Sequence, residues 1–397
     1  MLEAQLRAAL ERRERVGLRR TLPPAAASGA DLVDFSSNDY LSLARSPDVR
    51  QAVAAAVRDG ACIGSGGSRL LDGDSPLHAD AEARLAAYFG APAALLFNSG
   101  FDANVSLLTT LPQPGDVVVH DALVHASMHD GLRASRARAI RAFQHNDPAD
   151  LERVLQALLD EPQVRDDVQA GRCNVFLALE SVYSMDGTVC RLGALSDVLA
   201  RHVPSPGARH ILVDEAHGVG VYGRGGRGVC DALQLAHVPA VRLVTFGKAW
   251  GCAGAVVLCP PLWRDYLINY ARPLIYSTAL APMQVAAVLC VLDALERGEG
   301  DARAAVVHER TRQLYEALGQ PYVCDPLPPA PIVPVRTTQP LALAARVQRA
   351  GFLVRAVRYP TVPRGEERVR VCVHAHNTPE QVAQLAEVMR AARPAAL

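Results

Sequence analysis

Apolar positions along the chain keep two rhythms. Short, nearly unbroken runs of Val, Leu, Ile and Ala recur at residues 94–97, 117–119, 174–180, 211–213, 241–246 and 254–259. A run of that length carries apolar side chains on both faces, which fits a strand covered on both sides. Around these runs the apolar residues return every three or four positions, as along one face of a helix. That spacing predicts helices over residues 1–20, 48–58, 77–89, 151–159, 261–271 and 282–296, with another opening at Gly100. Strands alternating with helices from 94 to 259 give an α/β fold with a mainly parallel central sheet, and 254–259 is the candidate for one antiparallel strand.

Turn residues mark the connections. Residues 21–31, rich in proline and small side chains, read as a loose connector, and DFSSNDYLSLA (34–44) as an extended segment entering a turn. The stretch ACIGSGGSRLLDGDSP follows a helix rather than a strand, so its glycines lack the setting of a dinucleotide-binding loop. Residues 161–173 (EPQVRDDVQAGRC) read as a polar surface excursion. PIVPVR, in a proline-rich region, reads as an edge strand. Alternation over 368–373 fits a half-buried strand with Arg368 and Arg370 on one side, or alternatively a surface strand with solvated charges. At 397 residues the chain exceeds one ordinary core. The predicted division is an N-terminal helix and connector (1–46), a large domain (47–285) and a small C-terminal domain (286–397).

Charge narrows the chemistry. Lys plus Arg equals Asp plus Glu at 41 each, without long runs of one sign, so neither a nucleic-acid nor a membrane partner is expected. Nine cysteines lie scattered without a C-x-x-C pair and read as reduced thiols, which points to a reducing, cytoplasmic setting, an organelle remaining open. No apolar run reaches the roughly 18 residues of a membrane span, and the glutamates near the N-terminus argue against a transit peptide. The ending PAAL is no peroxisomal signal of the S-K-L type.

The chemical centre lies in residues 210–252. Ile211, Leu212 and Val213 deliver Asp214 and then His217 into a glycine-rich turn, and a second apolar run leads to Lys248. Ligands in open α/β sheets sit beyond the carboxyl ends of the strands, so both strands would end at one site. An aspartate there can keep a pyridine nitrogen protonated while a lysine forms a Schiff base with an aldehyde, which suits pyridoxal 5'-phosphate. Such a lysine needs its pKa lowered by burial or a neighbouring cation. His217 is placed to bond the ring's phenolic oxygen. Gly100 and Phe101 open a helix, whose free N–H groups attract phosphate, although an ordinary helix start reads the same way. His120, His125 and His129 lack the glutamate and third ligand of a zinc motif, so no metal is expected.

The strings DEAHGVGVYGRGGRG and TFGKAWG, with FSSNDYLSLA and GSGGSRLLDGD, resemble the α-oxoamine synthases, a branch of the fold-type I pyridoxal phosphate-dependent transferases. The likeness runs from about residue 15 to the C-terminus. It implies a smaller α+β C-terminal domain, Lys248 as anchor and base, and Asp214 as partner of the pyridine nitrogen. It further implies that His125 stacks on the cofactor ring, and that Ser181 and Thr245 contact the cofactor with Gly100, Phe101 and His217. Ser277 and Thr278 would reach the phosphate across the interface of a homodimer with a shared active site. Arg370 would clamp the substrate carboxylate, Asn38 would also bind the substrate, and Arg19 and Thr361 would line the acyl channel. His374 and His376 depart from the family pattern and read as incidental. The implied partners are L-alanine and an acyl-CoA thioester, with glycine and serine as rival amino acids. A non-catalytic subunit is the other reading, and the presence of Lys248 speaks against it.

Overall fold

The computed structural model describes residues 1–22, 32–323 and 326–392. The predicted connector from residue 23 onward and the PAAL ending lie outside them. Helix Leu2–Arg15 opens the chain, a turn shorter than its pattern predicts, with Leu2, Leu6 and Leu10 exposed and no residue buried. In chain order the strands are β1 (Val33–Asp34), β2 (Ala93–Phe97), β3 (Val117–Asp121), β4 (Ala139–Phe143), β5 (Val175–Glu180) and β6 (Arg209–Asp214). They continue with β7 (Val241–Thr245), β8 (Ala255–Cys259), β9 (Ile332–Arg336), β10 (Phe352–Leu353), β11 (Arg355–Val357) and β12 (Arg368–Cys372).

Seven strands form the main sheet in the order β2-β8-β7-β6-β5-β3-β4. Only β8 runs against its neighbours, as expected for the run at 254–259. Alternation along each strand serves two cores. Val117 and Val119 of β3 pack with Val175, Leu177, Leu151 and Leu195 on one face, while Val118 joins Phe176, Leu212, Leu107 and Met128 on the other. Each such side chain contributes about 1.5–3 kcal/mol of burial, so the sheet is a firm platform for whatever its strand ends carry. Strand β4 escapes the sequence pattern because it lies at the sheet edge and Arg141 and Ala142 are exposed.

A second sheet, in the order β11-β12-β9, is antiparallel. β9 lies at its edge, where the missing N–H of Pro334 is tolerated. Val369 and Val371 face a core with Leu343, Val347, Val382 and Leu385. Arg368 and Arg370 therefore point away from that core, and they are not solvated. Arg368 Nη1 donates to the carbonyl of Met185 (3.5 Å) and Arg370 Nε to that of Ser184 (2.6 Å), on the loop after β5.

The segment after β1 belongs to this layer. β1 pairs in parallel with β10, Phe35 sits in the small core, and the carbonyls of Phe35 and Tyr40 accept backbone N–H groups from Cys372 and Ala375. Residues 161–173, expected as a polar excursion, contain helix Pro162–Gln169. Val164 and Val168, one turn apart, bury one stripe of it and outweigh its charges.

Candidate active site

β5 and β6 run in register, with Glu180 opposite Asp214. Both strands therefore deliver a carboxyl to one side at the same edge of the sheet. Asp214 is buried and held by two donors. Its Oδ1 accepts the backbone N–H of Ala216 (2.9 Å), and its Oδ2 accepts Asn104 Nδ2 (2.7 Å) from helix Gly100–Thr110. Asn104 also donates to Ser127 Oγ (3.0 Å). Two donors fix the carboxylate while leaving it lone pairs for a further partner.

Lys248 lies just past the end of β7, with Nζ 2.8 Å from His217 Nε2. On its other side, His217 Nδ1 lies 2.7 Å from the hydroxyl of Tyr40. Burial pulls the Lys248 amine below the usual lysine range, and Arg370 works the same way, while Asp214 and Glu180 oppose it. Burial also drives His217 well below the ordinary imidazole range, and Arg370, with Lys248 when it is charged, adds to the effect. His217 is thus a neutral imidazole wedged between a phenol and an amine.

His125 caps helix Ala126–Arg133, its Nδ1 accepting the N–H of Ser127 at 3.2 Å. Phe101 meets it edge to face at 6.4 Å. Burial lowers the His125 pKa, partly offset by Asp214. Gly100 opens its helix against Thr245, and a Cβ at position 100 would stand 3.4 Å from Thr245 Cβ. A larger side chain would press into the space between that helix start and the end of β7. The Thr245 hydroxyl donates to Gly254 O at 3.3 Å. The carbonyl of Thr278 accepts Asn98 Nδ2 (2.8 Å), and Ser277 lines a small cavity with Asn98 and Arg69, so this segment borders the same helix start.

Ser181 lies apart from the cluster. Strand alternation turns it away from the Glu180 side, toward Glu215 and Gly218, and its buried hydroxyl has no hydrogen-bond partner among the described residues. Arg370 joins the cluster. Its Nη1 and Nη2 each lie 3.1 Å from Asn38 Oδ1, and Nη2 is 3.4 Å from the Tyr40 hydroxyl. Arg19 is outside it, paired with Glu14 at 2.5 Å. Thr361 is exposed in the turn that follows Arg358, and the Arg358 guanidinium approaches Gly17, so the two acyl-channel candidates stand on neighbouring segments.

Some residues of the cluster escaped the sequence. Tyr40 and Asn104 sit in strings that read as a turn and a helix start, and only the fold brings them against His217 and Asp214. Glu180 is fully buried, with Oε1 unpartnered and the backbone N–H of His125 reaching its carboxyl. Burial, then the charge of Asp214, pushes its pKa well above the carboxylate range. His374 and His376 are structural rather than incidental. Their Nε2 and Nδ1 bond Ser37 Oγ (2.9 Å) and Ser42 Oγ (2.7 Å), pinning the segment that carries Asn38 and Tyr40. One signal was available throughout: Lys248 is the only lysine among the 41 basic residues.

The family model for class I and II aminotransferases matches residues 30–389. The chain is 43% identical over 399 residues to 8-amino-7-oxononanoate synthase of Emericella nidulans, spanning 98% of this chain and 95% of the relative. It is 38% identical over 397 residues to the Klebsiella pneumoniae protein of the same name, spanning 96% and 97%. Serine palmitoyltransferase of Sphingomonas wittichii superposes with a TM-score of 0.82 at 26% identity, over 98% of this chain and 96% of that one. The 8-amino-7-oxononanoate synthase of Francisella tularensis superposes at 0.72 and 27% identity, over 90% and 96%.

Fold and relatives together define a pyridoxal phosphate-dependent transferase of fold type I. Within that class the chain belongs to the 8-amino-7-oxononanoate synthase family, acyltransferases of the α-oxoamine synthase branch.

Proposed function

We propose that the protein condenses L-alanine with a pimeloyl thioester, carried on CoA or a carrier protein, giving 8-amino-7-oxononanoate, free thiol and carbon dioxide in biotin biosynthesis. The observation that carries this reading is the Lys248 amine, buried and held toward its neutral form beside His217, on the same sheet edge as Asp214. The residues present fit pyridoxal phosphate. A doubly held carboxylate, a buried amine, an imidazole and an open helix start at Gly100 match its pyridine nitrogen, aldehyde, phenolic oxygen and phosphate in turn.

When bound, the cofactor supplies an electron sink for the α-carbon of the amino acid. In this reading Asp214 keeps the pyridine nitrogen protonated, with Asn104 holding the carboxylate in place. His217 would take the phenolic oxygen, His125 would cover the ring, and Gly100, Phe101 and Thr245 would frame the phosphate end, while the expected contact from Ser181 lies apart from this cluster. Arg370 and Asn38 orient the substrate carboxylate, because a planar guanidinium matches two oxygens at once. Lys248 would take the α-proton at Nζ, which a neutral amine can do and an ammonium cannot. Arg19 and Thr361 flank the acyl chain.

The same reading makes the protein a homodimer, with Ser277 and Thr278 of one copy closing the phosphate end of the other's site. The exposed leucines of helix Leu2–Arg15 are consistent with a partner surface. A second reading, serine with a long-chain acyl thioester, draws support from the 0.82 TM-score of the serine palmitoyltransferase.

The test supplies alanine, glycine or serine with pimeloyl-CoA or palmitoyl-CoA to the cofactor-loaded protein and follows thiol release. Alanine with pimeloyl-CoA should be turned over fastest. Preference for serine with palmitoyl-CoA would favour the second reading, and no thiol release from any pair would overturn both.

A further inference from the structure

Tyr40 is fully buried and sits where three groups meet. Arg370 Nη2 is 3.4 Å from its hydroxyl, which has two candidate acceptors for its own proton, Asn38 Oδ1 at 3.2 Å and His217 Nδ1 at 2.7 Å. A phenol has one proton to give and lone pairs with which to accept. Arginine only donates, so Tyr40 oxygen must accept on that side. Asn38 Oδ1 already takes both Nη1 and Nη2 of Arg370 at 3.1 Å, which leaves the Tyr40 proton for the closer histidine nitrogen. His217 Nδ1 then accepts. A neutral imidazole whose Nδ1 accepts carries its proton on Nε2, and that N–H faces Lys248 Nζ at 2.8 Å.

We propose that Tyr40 is a positioning residue that fixes the Nε2–H tautomer of His217, so that Lys248 can face it only as an acceptor, that is, as a free amine. Donors run in one direction, from the permanent cation Arg370 through Tyr40 and His217 to Lys248. An ammonium at Lys248 would set N–H against N–H across 2.8 Å. The same Nε2–H would serve as a donor to the phenolic oxygen of a bound cofactor. The inference rests on the proposed role of Lys248 as the cofactor's amine, but the tautomer is a property of the chain alone.

Other groups also act on the amine. Asp214 at the end of β6 favours its charged form, as does Glu180 at the end of β5 when ionised, Arg370 of β12 disfavours it, and the buried thiol of Cys372 lies close by. None of these changes in Tyr40→Phe, which keeps the ring and removes only the hydroxyl. Without that hydroxyl His217 is free to present an Nε2 lone pair to an ammonium.

The test uses the full-length protein free of cofactor. Nitrogen-15 NMR of labelled histidine, with the His217 signals assigned through His217→Gln, reads the tautomer directly. Competitive amine labelling against pH, with peptide mapping, reads the ionisation of Lys248, the only lysine in the chain. Wild type should show Nε2–H and a reactive amine near neutral pH. Tyr40→Phe should lose the tautomer preference and label Lys248 about tenfold more slowly at pH 7, one unit of pKa. An Nδ1–H tautomer in wild type, or identical labelling curves for the two proteins, would overturn the proposal. If the tautomer is as stated but the wild-type protein gains no visible band with pyridoxal phosphate, the functional reading fails and the relay stands.

Discussion

Glu180 and Asp214 face one another in the register of two adjacent parallel strands, both buried and both within reach of Lys248. Two carboxylates so placed cannot both carry charge at low cost. Asp214 has its two hydrogen-bond donors, while Glu180 keeps one oxygen unpartnered, so the proton belongs to Glu180. Its pKa in the folded protein lies well above its unfolded value near 4.5. A group raised by folding gives stability that is fully present below the unfolded pKa and lost as pH climbs through the folded one. Glu180→Gln, which keeps the shape and cannot ionise, should therefore gain in melting temperature relative to wild type as pH rises above about 4.5. Melting curves from pH 4 to 9 check this, and a difference that stays flat across the range would contradict it.

Asn104 gives Asp214 one of its two donors, at 2.7 Å. Asn104→Ala leaves Asp214 Oδ2 buried without that bond, at an expected cost of about 1–3 kcal/mol. Urea unfolding at neutral pH measures the loss. Asn104→Asp should be worse, since it sets a second carboxylate against the first. Wild-type stability in Asn104→Ala would show that the amide donor matters little.

Arg370 holds Asn38 through both terminal nitrogens and Ser184 through Nε. Arg370→Lys keeps the charge but loses the planar fork. The Michaelis constant for the amino acid should rise roughly 10- to 150-fold, the worth of a charged hydrogen bond at about 1.5–3 kcal/mol, with a smaller change in kcat. Steady-state kinetics with the acyl thioester saturating separates the two, and an unchanged Michaelis constant would remove Arg370 from the carboxylate site.

The large sheet was legible because buried parallel strands are apolar on both faces, and β5, β6, β7 and β8 all stand out as runs. Asp214, His217 and Lys248 were legible because they follow such runs directly. Tyr40 and Asn104 were not, since their work depends on contacts 177 and 110 residues away in sequence. Glu180 looked like the last residue of a strand, and its register with Asp214 exists only once the sheet is paired. Helix Pro162–Gln169 was hidden by its charges, because two valines one turn apart are enough to bury a face but too few to make a pattern.

The central claim is that Lys248 is the amine that holds the cofactor, and the composition makes it simple to test. With one lysine in the chain, the amines open to a cofactor aldehyde are Lys248 and the N-terminus. Wild type and Lys248→Ala are each mixed with pyridoxal phosphate, reduced with borohydride, digested and mapped by mass. The account requires the pyridoxyl mass on the peptide containing Lys248, and a Lys248→Ala protein that folds normally but shows no visible band. Label confined to the N-terminal peptide, or the same visible band in Lys248→Ala, would contradict it.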